Sequence, residues 1–225
     1  MKPAVFIALA VHTAAAALAQ DHLKPEPGPL ADEREYHTKV REVFAEVYRS
    51  NVLLQVVFFP AFQPEEIAGI RKTENGFEAF ASKPSSHIWE TFSIYEAEKQ
   101  TQGKPLNPDS TLAEMKKQFP SDFREITVHT DSRSISAPLT ERIRRVWEHM
   151  LLNARHPKQP VLGLDGETFH FSMWVYEHGW VSGEVWSPER GKTLALTRLA
   201  QALADYARGN ADEKKLSQLV KPLER

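Results

Sequence analysis

The sequence predicts a single α+β domain. Its mostly antiparallel sheet is built from hairpins and a three-strand meander and is packed by three to four helices. Three observations predict this. Apolar or alternating runs bounded by turn residues recur at 52–59, 67–81 and 161–186, the pattern of strands. Stretches with apolar residues at three- and four-residue spacing recur at 32–49, 139–154 and 193–208, the pattern of helices laid on a sheet. No internal repeat or low-complexity tract separates them after the leader, so one apolar set serves the chain.

Taken in order, residues 1–19 read as a secretory signal peptide. Lys2 supplies the positive start, Ala4 to Ala19 is apolar except for His12 and Thr13, and Ala17-Leu18-Ala19 is a small-x-small cleavage site. An apolar span of about 16 residues is short of the roughly 20 that cross a bilayer, and it lacks the polar rhythm of a buried helix. Residues 20–31, with Pro25, Pro27 and Pro29, read as an extended leader, and residues 32–225 as the domain. The chain has no cysteine, which excludes a lipoprotein anchor, disulfides, thiolate nucleophiles and thiolate-bound zinc. It also has no Asn-x-Ser/Thr sequon, so a bacterial periplasm is the expected address. Cleavage removes one of 28 basic residues and none of 30 acidic ones, for a charge of −3. With no basic patch, neither nucleic acid nor an anionic membrane is an expected partner.

A helix is expected from Asp32 to Arg49, where Tyr36, Val40, Val43, Phe44, Val47 and Tyr48 share a stripe. Val52 to Phe59 is an apolar, β-branched run ended by Pro60, a buried strand. Glu65-Glu66 after Pro64 reads as a solvated turn. Residues 67–81 form a hairpin around Glu74-Asn75-Gly76. A three-residue loop sets Ile70 opposite Phe80 and Lys72 opposite Glu78, pairing like with like in polarity. A further strand is expected at His87–Tyr95 and a short helix from Thr111 to Pro120, opened by Thr111-x-x-Glu114. Phe123–Thr130 reads as a strand, and Leu139–Ala154 as an amphipathic helix with Pro138 in its first turn.

Asp165-Gly166 is a hairpin turn joining Val161–Leu164 to Glu167–Tyr176, and Glu177-His178-Gly179 joins that strand to Trp180–Trp186. A helix follows from Thr193 to Arg208, stopped by Gly209, then a last one with Leu216, Leu219 and Val220.

Side-chain sorting in the last hairpin marks a candidate binding surface. With Tyr176 opposite Trp180, one face holds Phe169, Phe171, Met173 and Val175 against Val181, Gly183 and Val185, which is core. The other face carries His170, Ser172, Trp174, Tyr176, Trp180, Ser182, Glu184 and Trp186. Rings mixed with short polar groups suit protein recognition. The alternative is that a helix covers this face and the rings are a second core layer.

No catalytic site is expected. His170, Ser172 and Glu184 could approach one another as a hydrolase would need, but His170 and Ser172 are parallel neighbours on one strand, and Ser172 lies in no G-x-S-x-G turn. No cofactor is expected either, because Trp186 stands where a phosphate loop ending in Gly191-Lys192-Thr193 needs glycine. Nor is a metal, since His22, His37, His87, His129, His149, His156 and His178 show no ligand spacing.

The segment Asp165-Gly166-Glu167-Thr168-Phe169-His170-Phe171, followed by Ser182-Gly183-Glu184-Val185-Trp186-Ser187-Pro188 and a helix, resembles a pattern in uncharacterised exported bacterial proteins. The resemblance covers residues 165 to 209 and implies fold alone. In size and export the chain is also similar to periplasmic immunity proteins. The expected role is a periplasmic domain that binds another exported protein, as an inhibitor or immunity-type partner; an envelope hydrolase is the alternative.

Overall fold

The computed structural model describes residues 21–29, 31–49, 51–100, 111–157 and 165–224. The signal-peptide segment and the strand expected at Val161–Leu164 lie outside them. Among the described residues seven strands form one antiparallel sheet: β1 (Lys24–Glu26), β2 (Val52–Pro60), β3 (Glu66–Thr73), β4 (Gly76–Pro84), β5 (Val128–Ile135), β6 (Glu167–Val175) and β7 (Gly179–Trp186). Their order is β1-β7-β6-β2-β3-β4-β5. The chain is thus a single α+β domain, as its patterning predicts.

Strand alternation divides the side chains between two covered faces. On one, Leu54, Val56, Phe58, Ile70, Ala79, Phe171 and Met173 pack beneath α5 (Ala137–Leu152), α6 (Gly191–Ala207) and α7 (Glu213–Val220). On the other, Val57, Ile67 and Phe80 meet Val40 of α1 (Glu35–Val43), Phe44, Val47 of α2 (Ala45–Arg49) and Ile88 of α3 (Ile88–Gln100). This double cover explains the apolar run of β2, broken only by Gln55, whose alternate residues face opposite cores. Each fully buried Leu, Ile, Val or Phe contributes about 1.5–3 kcal/mol. By contrast β5 reads His-Thr-Asp-Ser-Arg-Ser after its first residue and lies at the sheet edge, where charge deters pairing with another chain.

The leader is part of this sheet. β1 pairs with β7, Leu23 is fully buried in the larger core, and its carbonyl accepts from Arg155 N–H at 2.8 Å. Pro25 is tolerated because β1 is an edge strand.

Several expected elements differ. Residues 88–100 form α3, not a strand. A strand would set Glu90 beside Ile88, Phe92 and Ile94, whereas the helix gathers Ile88, Thr91 and Ile94 on its buried side. The helix expected across 32–49 starts at Glu35 and breaks at Phe44. Phe123–Glu125 is a 3₁₀ turn because the Asp122 carboxylate accepts from the Arg124 backbone and guanidinium; the strand follows at Val128. The short helix α4 (Thr111–Gln118), α5, α6 and α7 lie within a few residues of expectation.

In the β3–β4 hairpin the loop is Glu74-Asn75, with Thr73 opposite Gly76, Ile70 opposite Ala79 and Arg71 opposite Glu78. Phe80 then lies across Gly69, where an added Cβ would stand 3.0 Å from the ring. The expected register put Ile70 and Phe80 on one face; with both faces covered, each ring and branch has its own core. In the last hairpin the loop is Tyr176-Glu177-His178. It sets Trp174 opposite Trp180, Ser172 opposite Ser182, His170 opposite Glu184 and Thr168 opposite Trp186. That is a shift of two residues, so the membership of each face is as expected.

Candidate functional site

The polar face of the β6–β7 hairpin is divided along its length. At the loop end Trp174 is 58% exposed and Tyr176 83% exposed. Trp174 rests edge-on against Trp180, with ring centroids 6.2 Å apart and planes at 82°. Trp180 is half-buried, because leader backbone at Gly28 lies so close that a Cβ there would come within 3.0 Å of the Trp180 Cβ. Glu177 at φ 67° and Gly179 at φ 76° make the tight loop that sets these rings at the tip.

At the other end the same face is covered. His170 is 6% exposed, and Ser172 and Ser182 are buried. Glu184 and Trp186 are half-buried, the former held by Lys24 Nζ at 2.9 Å. Over this end, α1 and the residues before it enclose a cavity of about 20 Å³, lined by Asp32, His37, Gln55, Tyr48, His170 and Ser172 among others. That volume holds about one water-sized occupant.

Asp32 organises the chamber. Its carboxylate accepts from Arg34 N at 3.1 Å, Arg34 Nε at 3.0 Å and Arg34 Nη2 at 2.7 Å, and lies 2.6 Å from His37 Nδ1. Burial alone would raise its pKa, but these hydrogen bonds hold it well below the usual carboxylate range. The charges continue outward: Arg34 reaches Glu26, Glu26 meets Lys24, and Lys24 meets Glu184. His37 stacks on Phe59 at 4.9 Å with an interplanar angle of 9°. Burial, with Arg34 second, lowers the His37 pKa, and burial pushes His170 down to about 4. Both rings are therefore neutral near pH 7, beside an ionised Asp32. The Nε2 of His170 and both ends of the Gln55 amide are buried without a hydrogen-bond partner among the described residues.

The catalytic alternative gains little. Glu184 faces His170 across the strands but is bound to Lys24 and does not line the chamber. A space the size of one water admits no substrate beside Ser172.

A second buried carboxylate lies nearby. Glu65, expected in a solvated turn, is 1% exposed and accepts from Ile88 N at 2.7 Å, Trp89 N at 2.8 Å and the Tyr36 hydroxyl. It caps the start of α3, where the helix dipole favours an anion. Burial opposes its charge, yet the His87 ring at 3.6 Å and hydrogen bonds from Tyr36 and the backbone bring its pKa below the ordinary value. Glu65→Ala is expected to cost about 2–4 kcal/mol in urea unfolding, because it strands the Tyr36 hydroxyl and two amides. A depressed carboxylate stabilises above its unfolded pKa of about 4.3, and that contribution is lost as pH falls through the lower folded value. Glu65→Gln should therefore lose less stability than the native chain between about pH 5 and pH 3.

Sequence reasoning selected the hairpin face but missed Asp32, His37 and Gln55. Gln55 did carry a signal, as the one polar residue within the apolar run Val52–Phe59. Asp32 and His37 sit five residues apart in a polar stretch that resembles any solvated helix start. Comparisons of the chain with family models, with curated proteins and with solved structures found no match.

Proposed function

We propose that this chain is an exported binding domain that docks another exported protein through the tip of the β6–β7 hairpin, as an inhibitor or immunity-type partner. The observation that carries this reading is the Trp174–Tyr176 pair, two large rings standing in solvent on a braced two-stranded platform. Trp and Tyr dominate the energetics of protein interfaces, since they bring large area and a hydrogen-bonding group at low entropic cost. Exposed Glu177 and His178 supply the polar rim such a contact needs. Export is supported by the composition of residues 1–19. No helix among the described residues is long and apolar enough to cross a membrane.

The test uses the mature chain as bait on periplasmic extract from its source cell, with the captured protein identified and its affinity measured. Trp174→Ala with Tyr176→Ala is expected to weaken that affinity about 30-fold or more, the loss that a hot spot of about 2 kcal/mol implies. Phe62→Ala, which removes another exposed ring, should leave it unchanged. Thermal midpoints of all three chains should agree within about 2 °C, since exposed side chains add little to stability. An unchanged affinity in the double variant, or its unfolding, would overturn the reading.

A further inference from the structure

We propose that the chamber beneath α1 is a site for one divalent transition-metal ion of the zinc type, with Asp32, His37 and His170 as its protein ligands. The site is independent of the hairpin tip, so each can fail without the other.

Three observations converge on it. One donor atom each from Asp32, His37 and His170 lies within 4.8 Å of the other two, and two of these residues are buried. Side chains from two segments remote in sequence meet at this point: Asp32 and His37 lead into and along α1, and His170 comes from the middle of β6. The Asp32–His37 contact of 2.6 Å is a hydrogen bond in the metal-free chain. Moving the imidazole proton from Nδ1 to Nε2 leaves a carboxylate oxygen and an imidazole nitrogen side by side, close to the roughly 3 Å separation of neighbouring ligands on a tetrahedral zinc.

The second observation is the set of unpaired groups. His170 Nε2, Gln55 Oε1 and Gln55 Nε2 have no partner among the described residues, although Gln55 is fully buried and His170 nearly so. Folded proteins rarely leave buried donors and acceptors unmet, because each costs about 1–3 kcal/mol. An ion on His170 Nε2 serves that nitrogen, and the Gln55 carbonyl, an acceptor, can complete its shell, while the Gln55 amide nitrogen is a donor that the ion does not serve.

The third is chemical fit. The donors are one carboxylate oxygen and two imidazole nitrogens, which suit zinc and its first-row neighbours and serve calcium or magnesium poorly. The cavity of about 20 Å³ takes a single ion or water and nothing larger. Arg34 opposes the ion electrostatically, since its Nη2 donates to the same Asp32 oxygen that His37 Nδ1 meets, while Glu26 partners that guanidinium and offsets part of its charge. A lone water is the competing occupant.

The experiment is titration of the chelator-stripped mature chain with zinc chloride, followed by calorimetry and by metal analysis after dialysis. The expected result is one zinc per chain and a raised thermal midpoint. Single changes His37→Gln and His170→Gln should weaken binding by about 10–100-fold or more, the scale of losing a ligand or its orienting partner. His129→Gln and His178→Gln, which alter exposed histidines, should not change it. The midpoint of each stripped variant reports whether it folds. Should a ligand variant fail to fold, the native chain loaded with cobalt gives a second reading. Visible absorption bands typical of a low-symmetry nitrogen–oxygen site are expected, and the weak spectrum of hydrated cobalt would contradict the assignment. Failure to retain zinc, or retention that survives both ligand changes, would overturn the proposal.

Discussion

Phe171→Ala is expected to cost about 3–5 kcal/mol, the range for deleting a buried aromatic and leaving a cavity. Phe171 is fully buried at the centre of β6, opposite Val56 of β2 and Gly183 of β7. Its ring meets Trp147 of α5 edge-on at 5.1 Å and 72°, and stacks with Phe169 at 6.3 Å. Neighbours on two strands and a helix are fixed in place, so the hole cannot collapse easily. A domain of this kind has about 5–15 kcal/mol in total, so this one change removes a large share of it. Urea unfolding should show a lower midpoint with an unchanged slope. A loss below about 1 kcal/mol would contradict the packing described.

Leu23→Ala should cost about 2–5 kcal/mol although it lies in a segment that resembles a tail. Leu23 is fully buried over Gly183, where an added Cβ would stand 2.9 Å from the Leu23 Cβ. Losing it loosens β1 from β7, and with β1 the ion pairs that lead through Glu26 and Arg34 to Asp32. Limited proteolysis should then cut within residues 21–29 well before the rest of the chain unfolds. Resistance equal to that of the native chain would show that the leader is held by something other than Leu23.

The leader shows why some of this structure was legible in the sequence and some was not. Pro25 lies in extended backbone as expected, whereas Pro29 falls in a turn closed onto Gly28, and only tertiary contact makes 24–26 an edge strand, because three residues carry no periodicity to read. The faces of β6 and β7 were legible because alternation fixes parity: Phe169, Phe171 and Met173 had to share a core. The register was not, since a two-residue slip preserves parity and only the loop geometry at Tyr176–His178 decides it. Residues 88–95 misled through their β-branched and aromatic content, while the carboxylate that caps the helix, Glu65, is 23 residues earlier.

The candidate surface divides into an exposed and a covered part for a related reason. A face is a property of the strand pair, but its exposure depends on what lies above it. The leader and α1 cover His170, Ser172 and Ser182 and stop short of Trp174 and Tyr176. One hairpin face therefore contributes both a covered polar chamber and an open aromatic tip. The tip is where the proposed binding function is exposed to direct test.

That test is photo-crosslinking in the source cell, with a photoreactive phenylalanine derivative replacing Tyr176 in one chain and Phe62 in another. The binding reading predicts a covalent adduct with a distinct exported protein from position 176, and none of that mass from position 62. No adduct at position 176, or the same adducts from both positions, would contradict it.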